Sequence, residues 1–98
     1  MGKKNLGANN DLYKAILKLE NEEECKGFFA DLCTINELLS MEQRFKVAQL
    51  LDEGYIYNDI VEKTGASSAT ISRVSRALNY GEDGYRAVLD RMKSDNNE

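Results

Sequence analysis

The side chains with most chemistry to offer lie between Thr64 and Leu78, in the stretch TGASSATISRVSRAL. It sets a run of small hydroxyl residues beside Arg73 and Arg76 and contains no carboxylate. Hydroxyl groups donate to and accept from phosphate oxygens and base edges, and a guanidinium can hold phosphate or guanine through two parallel hydrogen bonds. From Lys63 to Gly81 the charged residues are Lys63, Arg73 and Arg76, whereas acids gather at Glu20 to Glu24, Asp52 to Glu62 and Glu82 to Asp83. A chain of net charge -4 therefore keeps one locally cationic stretch. Net charge averages over faces that a partner never meets, so the distribution matters more than the sum.

Other chemistry is poorly supplied. The sequence has no histidine and two cysteines, which excludes the usual closed zinc site and the Ser-His and Cys-His catalytic pairs. Cys25 and Cys33 are eight residues apart in what reads as one helix. At ~1.5 Å rise per residue that separation is too long for a disulfide, so both are expected to be reduced and structural. No phosphate-binding glycine loop or paired catalytic constellation occurs, so an enzyme ranks far below a binding protein.

These side chains must be positioned by helices. Ninety-eight residues, 42% hydrophobic and 31% charged, have the composition of one globular domain, and the chain has no proline and seven glycines. Proline breaks helix interiors and marks turns, so its absence predicts an all-α fold. No apolar run reaches the ~20 residues of a membrane span, and the first residues lack the apolar stretch of a signal peptide, so a cytoplasmic location is expected. Residues 1–9 read as a flexible N-terminal arm, 10–93 as a single all-helical domain and 94–98 as a polar tail.

Within the domain, Asn10 is placed to cap a helix through Leu12, Ile16 and Leu19. Asn21, with Glu24 at the capping-box position, opens a second helix carrying Phe28, Phe29, Leu32, Cys33, Ile35, Leu38 and Leu39, a wider apolar surface than one small monomer easily covers. Ser40 with Gln43 repeats the capping pattern and predicts a third helix through Phe45, Val47, Ala48, Leu50 and Leu51 to near Gly54. A last helix is expected over Glu82 to Lys93.

The quoted stretch falls in a helix-turn-helix at about residues 57–79. A short helix from Tyr57 to Lys63 is followed by Gly65, which can turn with positive φ, and then by Ser67 as a good N-cap. In the second helix Ile71, Val74 and Leu78 fall within about 60° of one another, making an inward face, and Ala69, Ser72, Arg73, Arg76 and Tyr80 collect opposite. Small residues at the amino end admit the helix to the major groove of DNA. The candidate DNA contacts are Ser67, Ser68, Ala69, Thr70, Ser72, Arg73 and Arg76. The competing readings are a plain helical hairpin with solvated hydroxyls, or a protein-interaction adaptor that keeps this shape without binding DNA.

The stretches QRFKVAQLLDEG (Gln43 to Gly54), TGASSATISRVSRALNYG (Thr64 to Gly81) and GYRAVLDRM (Gly84 to Met92) resemble the Trp repressor superfamily, in its YerC/YecD-like branch, over about Leu32 to Met92. The resemblance implies a Trp-repressor-like bundle forming an intertwined homodimer, and a transcription regulator, in the main a repressor, acting on double-stranded DNA at a palindromic operator. It also implies a small-molecule corepressor, with Thr34, Arg44 and Arg73 at ligand-contacting positions; the competing reading makes Thr34 a cap or surface residue, Arg44 a partner of a carboxylate such as Glu37, and Arg73 a phosphate contact. Val74 stands where tryptophan-responsive members have glycine, and Ala77 where they have a ligand-binding serine. Added volume and a lost hydroxyl both argue against tryptophan as that ligand.

Overall fold

The computed structural model describes residues 10–96, which form six helices and no strand: α1 (Asp11–Ile16), α2 (Glu22–Leu32), α3 (Ile35–Asp52), α4 (Tyr57–Thr64), α5 (Ser68–Tyr80) and α6 (Gly84–Asn96). The all-α expectation is met among these residues. The arm expected at residues 1–9 lies outside them. The stretch expected as a tail begins inside α6, since Ser94 to Asn96 continue that helix. The chain divides into two compact units, one ending at Leu38 and the other beginning at Leu39, a boundary inside α3.

In the first unit α1 is shorter than its apolar spacing predicts. It ends at Ile16, where Leu17, Lys18 and Leu19 turn through bonds to Tyr13, Ala15 and Ile16. Leu17 is 84% exposed, so another helical turn would bury little there. Asn10 takes a left-handed conformation and makes no side-chain cap. Asn21 does cap α2: its side-chain oxygen accepts from the Glu24 amide at 2.8 Å, with Glu22, Glu23 and Glu24 in the first turn where the helix dipole favours them. Phe28 and Phe29 meet edge to face at 5.5 Å.

The helix expected to run on to Leu39 breaks earlier. Cys33 is extended at φ -115°, ψ 155° and closes α2, so the two cysteines do not share one helix; both are free thiols. Thr34 and Glu37 then form the capping box that opens α3: the Thr34 hydroxyl accepts from the Glu37 amide at 3.1 Å, and the Glu37 carboxylate accepts from the Thr34 amide at 2.8 Å. Ser40, expected to start a helix, lies inside α3. Threonine followed three residues later by glutamate satisfies two free amide donors at once, and that pair wins over Ser40 with Gln43.

The second unit holds the core. Val47, Ala48 and Leu50 of α3 meet Ile60 of α4, Ala66 of the turn, Ile71, Val74 and Leu78 of α5 and Leu89 of α6. Phe45, Leu51 and Tyr85 pack around this cluster, with the Phe45 and Tyr85 rings 6.4 Å apart. Burying each larger aliphatic side chain stabilises the fold by ~1.5–3 kcal/mol. At its margin Asp52, only 9% exposed, binds Arg86 at 2.8 Å and Lys93 at 2.6 Å, joining α3 to α6. These two cations hold the Asp52 carboxyl below its ordinary value of 3.8, the Lys93 hydrogen bond first and the Arg86 bond second. Gly81 ends α5, and a Cβ there would stand 2.4 Å from the Ala77 carbonyl oxygen, so the chain needs glycine to leave the helix at this point.

Candidate nucleic-acid interface

Two helices and one turn present the cationic stretch. α4 spans the expected residues plus Thr64, and Gly65 follows at φ 73°, ψ 6°, its amide donating to the Val61 carbonyl at 2.8 Å. A β-carbon is disfavoured in that left-handed conformation, which explains glycine at the turn. The Thr64 hydroxyl donates to the Ile60 carbonyl at 2.7 Å and accepts from the Ala66 amide at 3.1 Å. From α3, the Gln43 side-chain amide donates to the Thr64 carbonyl at 3.1 Å. Ala66 is buried, and Ser67 then caps α5 by accepting from the Thr70 amide at 3.1 Å.

On α5 the inward and outward faces separate as the spacing predicts. Ile71, Val74 and Leu78 are buried, whereas Ser67, Ser68, Ala69, Arg73 and Arg76 are exposed. Ser72 and Thr70 are half-buried. The Ser67 hydroxyl donates to the Thr70 hydroxyl at 3.1 Å, so those two side chains bind each other as well as the helix start. Neither Arg73 nor Arg76 forms an ion pair or hydrogen bond with another described residue. Their guanidinium groups keep every donor for an outside acceptor. Lys63 stands 5.4 Å over the Tyr55 ring, a cation–π contact that leaves its charge near the turn.

Gln43 and Thr64 carry this turn, and sequence reasoning gave neither that role. The capping pattern pairs Gln43 with Ser40, whereas the bond it makes reaches a backbone carbonyl 21 residues away, for which side-chain spacing holds no signal. Thr64 could have been found: threonine directly before a turn glycine can bond the carbonyl four residues back.

The three expected ligand contacts are divided between the two units. Thr34 is exposed in the first unit with its amide and hydroxyl engaged by Glu37, while Arg44, half-buried on α3, and exposed Arg73 belong to the second. Val74 is 2% exposed and faces the core side of α5. Ala77 is exposed.

No helix among the described residues is long and apolar enough to cross a membrane. The chain matches the Trp repressor protein family over residues 8–93. It is 54% identical to the uncharacterized protein YerC of Bacillus subtilis over 89 residues, covering 91% of this chain and 86% of that one. A Trp operon repressor homolog of Chlamydia caviae is 32% identical over 83 residues, 84% and 82% of the two chains. The crystal structure of a TrpR like protein from Eubacterium eligens superposes with a TM-score of 0.84 at 54% identity, covering 95% of this chain and 96% of that one. A chain with a helix-turn-helix whose second helix exposes two arginines, matched over most of its length, is thus a member of the Trp repressor family of DNA-binding regulators.

Proposed function

We propose that the protein is a sequence-specific, DNA-binding transcription regulator that acts in the cytoplasm as a homodimer and represses the genes it controls. The observation that carries the reading is the exposed α5 face, where Ser68 and Ala69 lead, Arg73 and Arg76 follow without a partner among the described residues, and no acid lies between Lys63 and Gly81 in the sequence. Small side chains at the amino end of α5 allow close approach to base edges, and the first-turn amides of a helix favour phosphate. Arg73 and Arg76 then hold phosphate or guanine about one and two turns further along.

Titration with a random-sequence duplex and with duplexes selected by the protein from a random pool tests the reading. Binding to either should weaken steeply between ~50 and ~200 mM salt, because each phosphate contact releases counterions, and the selected duplexes should bind ~10³-fold or more tighter. Binding without salt dependence, or with no preference among duplexes, would remove the regulator reading. Running the selection with and without free amino acids also asks whether Thr34, Arg44 and Arg73 serve a small-molecule corepressor. Our reading is that tryptophan is not that ligand, because Val74 adds volume where tryptophan-responsive members have glycine and Ala77 lacks a hydroxyl.

A further inference from the structure

We propose that Gln43 is a positioning residue of the reading helix. Its side-chain amide fixes the α4–α5 turn against α3 and so sets the angle at which Ser68, Ala69, Arg73 and Arg76 meet a duplex. The inference rests on the DNA-reading role of α5 given above. The Thr64 carbonyl lies in the last turn of α4, where carbonyl groups have no intrahelical partner. Gln43 donates to it at 3.1 Å from the middle of α3, and both residues are half-buried. On the other side of the same residue, the Thr64 hydroxyl ties the Ile60 carbonyl to the Ala66 amide. Gly65 and Ala66 alone separate this anchored carbonyl from the Ser67 cap of α5.

The direction of the constraint follows from the kinds of contact present. Ile60, Ile71 and Val74 hold α4 and α5 on α3 by apolar burial, which is nondirectional and tolerates small rotations. A hydrogen bond loses strength steeply as its angle opens, so the Gln43 bond selects one rotation of the turn among those the apolar contacts permit. Loss of the donor would leave the Thr64 carbonyl partly shielded from water and short of a partner, and the turn would gain freedom where α5 begins. Recognition of base edges needs a defined approach, whereas attraction to phosphate tolerates a loose one. Sequence preference should therefore suffer more than affinity for DNA in general.

Gln43→Met keeps the length and volume of the side chain and removes the donor, and Gln43→Lys restores a donor of similar reach. Two quantities are read on the full chain: amide hydrogen exchange at Gly65 and Ala66, and the ratio of affinities for a duplex selected by the unmodified protein over a random-sequence duplex. Gln43→Met should exchange faster at Ala66 and lower the ratio about five- to tenfold, the weight of one net hydrogen bond in an equilibrium. Affinity for the random duplex should change little, the melting temperature should fall by no more than the several degrees that one lost hydrogen bond gives, and Gln43→Lys should keep the ratio. A variant that loses thermal stability and both affinities together, with the ratio intact, would overturn the positioning role. Unchanged exchange with an unchanged ratio would do the same. An unmodified protein with no salt-dependent binding to any duplex would instead defeat the DNA reading itself, and this role with it.

Discussion

At the scale of single residues, Arg76 and Val74 stand two positions apart on α5 and answer to different physics. Arg76 is exposed and holds no partner among the described residues, so Arg76→Ala should cost under ~0.5 kcal/mol of stability. Its effect should fall on DNA: weaker binding, with a salt slope shallower by about one if the guanidinium meets phosphate, or a relaxed preference at one base pair if it meets guanine. Unchanged affinity in a salt titration would move the reading face elsewhere. Val74 points into the core, and Val74→Gly removes a buried side chain while placing glycine in a helix interior. Those losses should together destabilise the protein by about 3 kcal/mol, read as a lower denaturant midpoint. The outward arginines and inward Ile71, Val74 and Leu78 were legible in the sequence because helical periodicity alone separates them. The Gln43 bond to the Thr64 carbonyl was not, because it spans 21 residues and side-chain spacing holds no signal for it.

At the scale of elements, the start of α3 and its end are each held by polar contacts that can be removed separately. Thr34→Ala should cost ~1 kcal/mol by deleting the cap, whereas Ser40→Ala, inside the helix, should be close to neutral; thermal melts of the two variants compare them. Equal effects would mean that the helix begins at Ser40 after all. At the other end Asp52 joins α3 to α6, and because its folded-state pKa is lowered, its contribution is complete above the ordinary value of 3.8 and is lost as pH falls through the lowered one. The unmodified protein should therefore lose more stability than Asp52→Asn between about pH 5 and pH 2, and the two should converge in acid. A constant gap between them would mean that the carboxylate charge is not what joins the helices. Helix existence was legible throughout, from proline-free composition and the caps at Asn21 and Ser67. The α2–α3 boundary was missed because two capping patterns six residues apart compete, and Cys33, which breaks the helix, has no turn signal of its own.

For the whole molecule, the exposed apolar residues around the start of α3 predict self-association. None of the described residues through Leu38 is buried, and Leu32, Ile35 and Leu39 are 51%, 75% and 57% exposed. A soluble chain rarely leaves a run of large aliphatic side chains in water without a partner surface. A second copy of the chain offers the same apolar set, and a two-fold pairing would cover both. Sedimentation at micromolar concentration should therefore give twice the 11.1 kDa chain mass. Ile35→Glu, which puts a carboxylate on that exposed surface, should shift the protein toward monomer while leaving the helical content of the second unit in place. A two-fold dimer carries two α5 helices, and to read one face of B-form DNA they must stand one helical turn apart, at ~34 Å, so selected duplexes should contain inverted repeats with centres 10–10.5 base pairs apart or a multiple of that. The dimer variant couples the two results: a monomeric Ile35→Glu protein should lose its preference for a paired repeat over a single half-site. A monomer at micromolar concentration, or selected sites without inverted symmetry, would mean that each chain reads DNA alone.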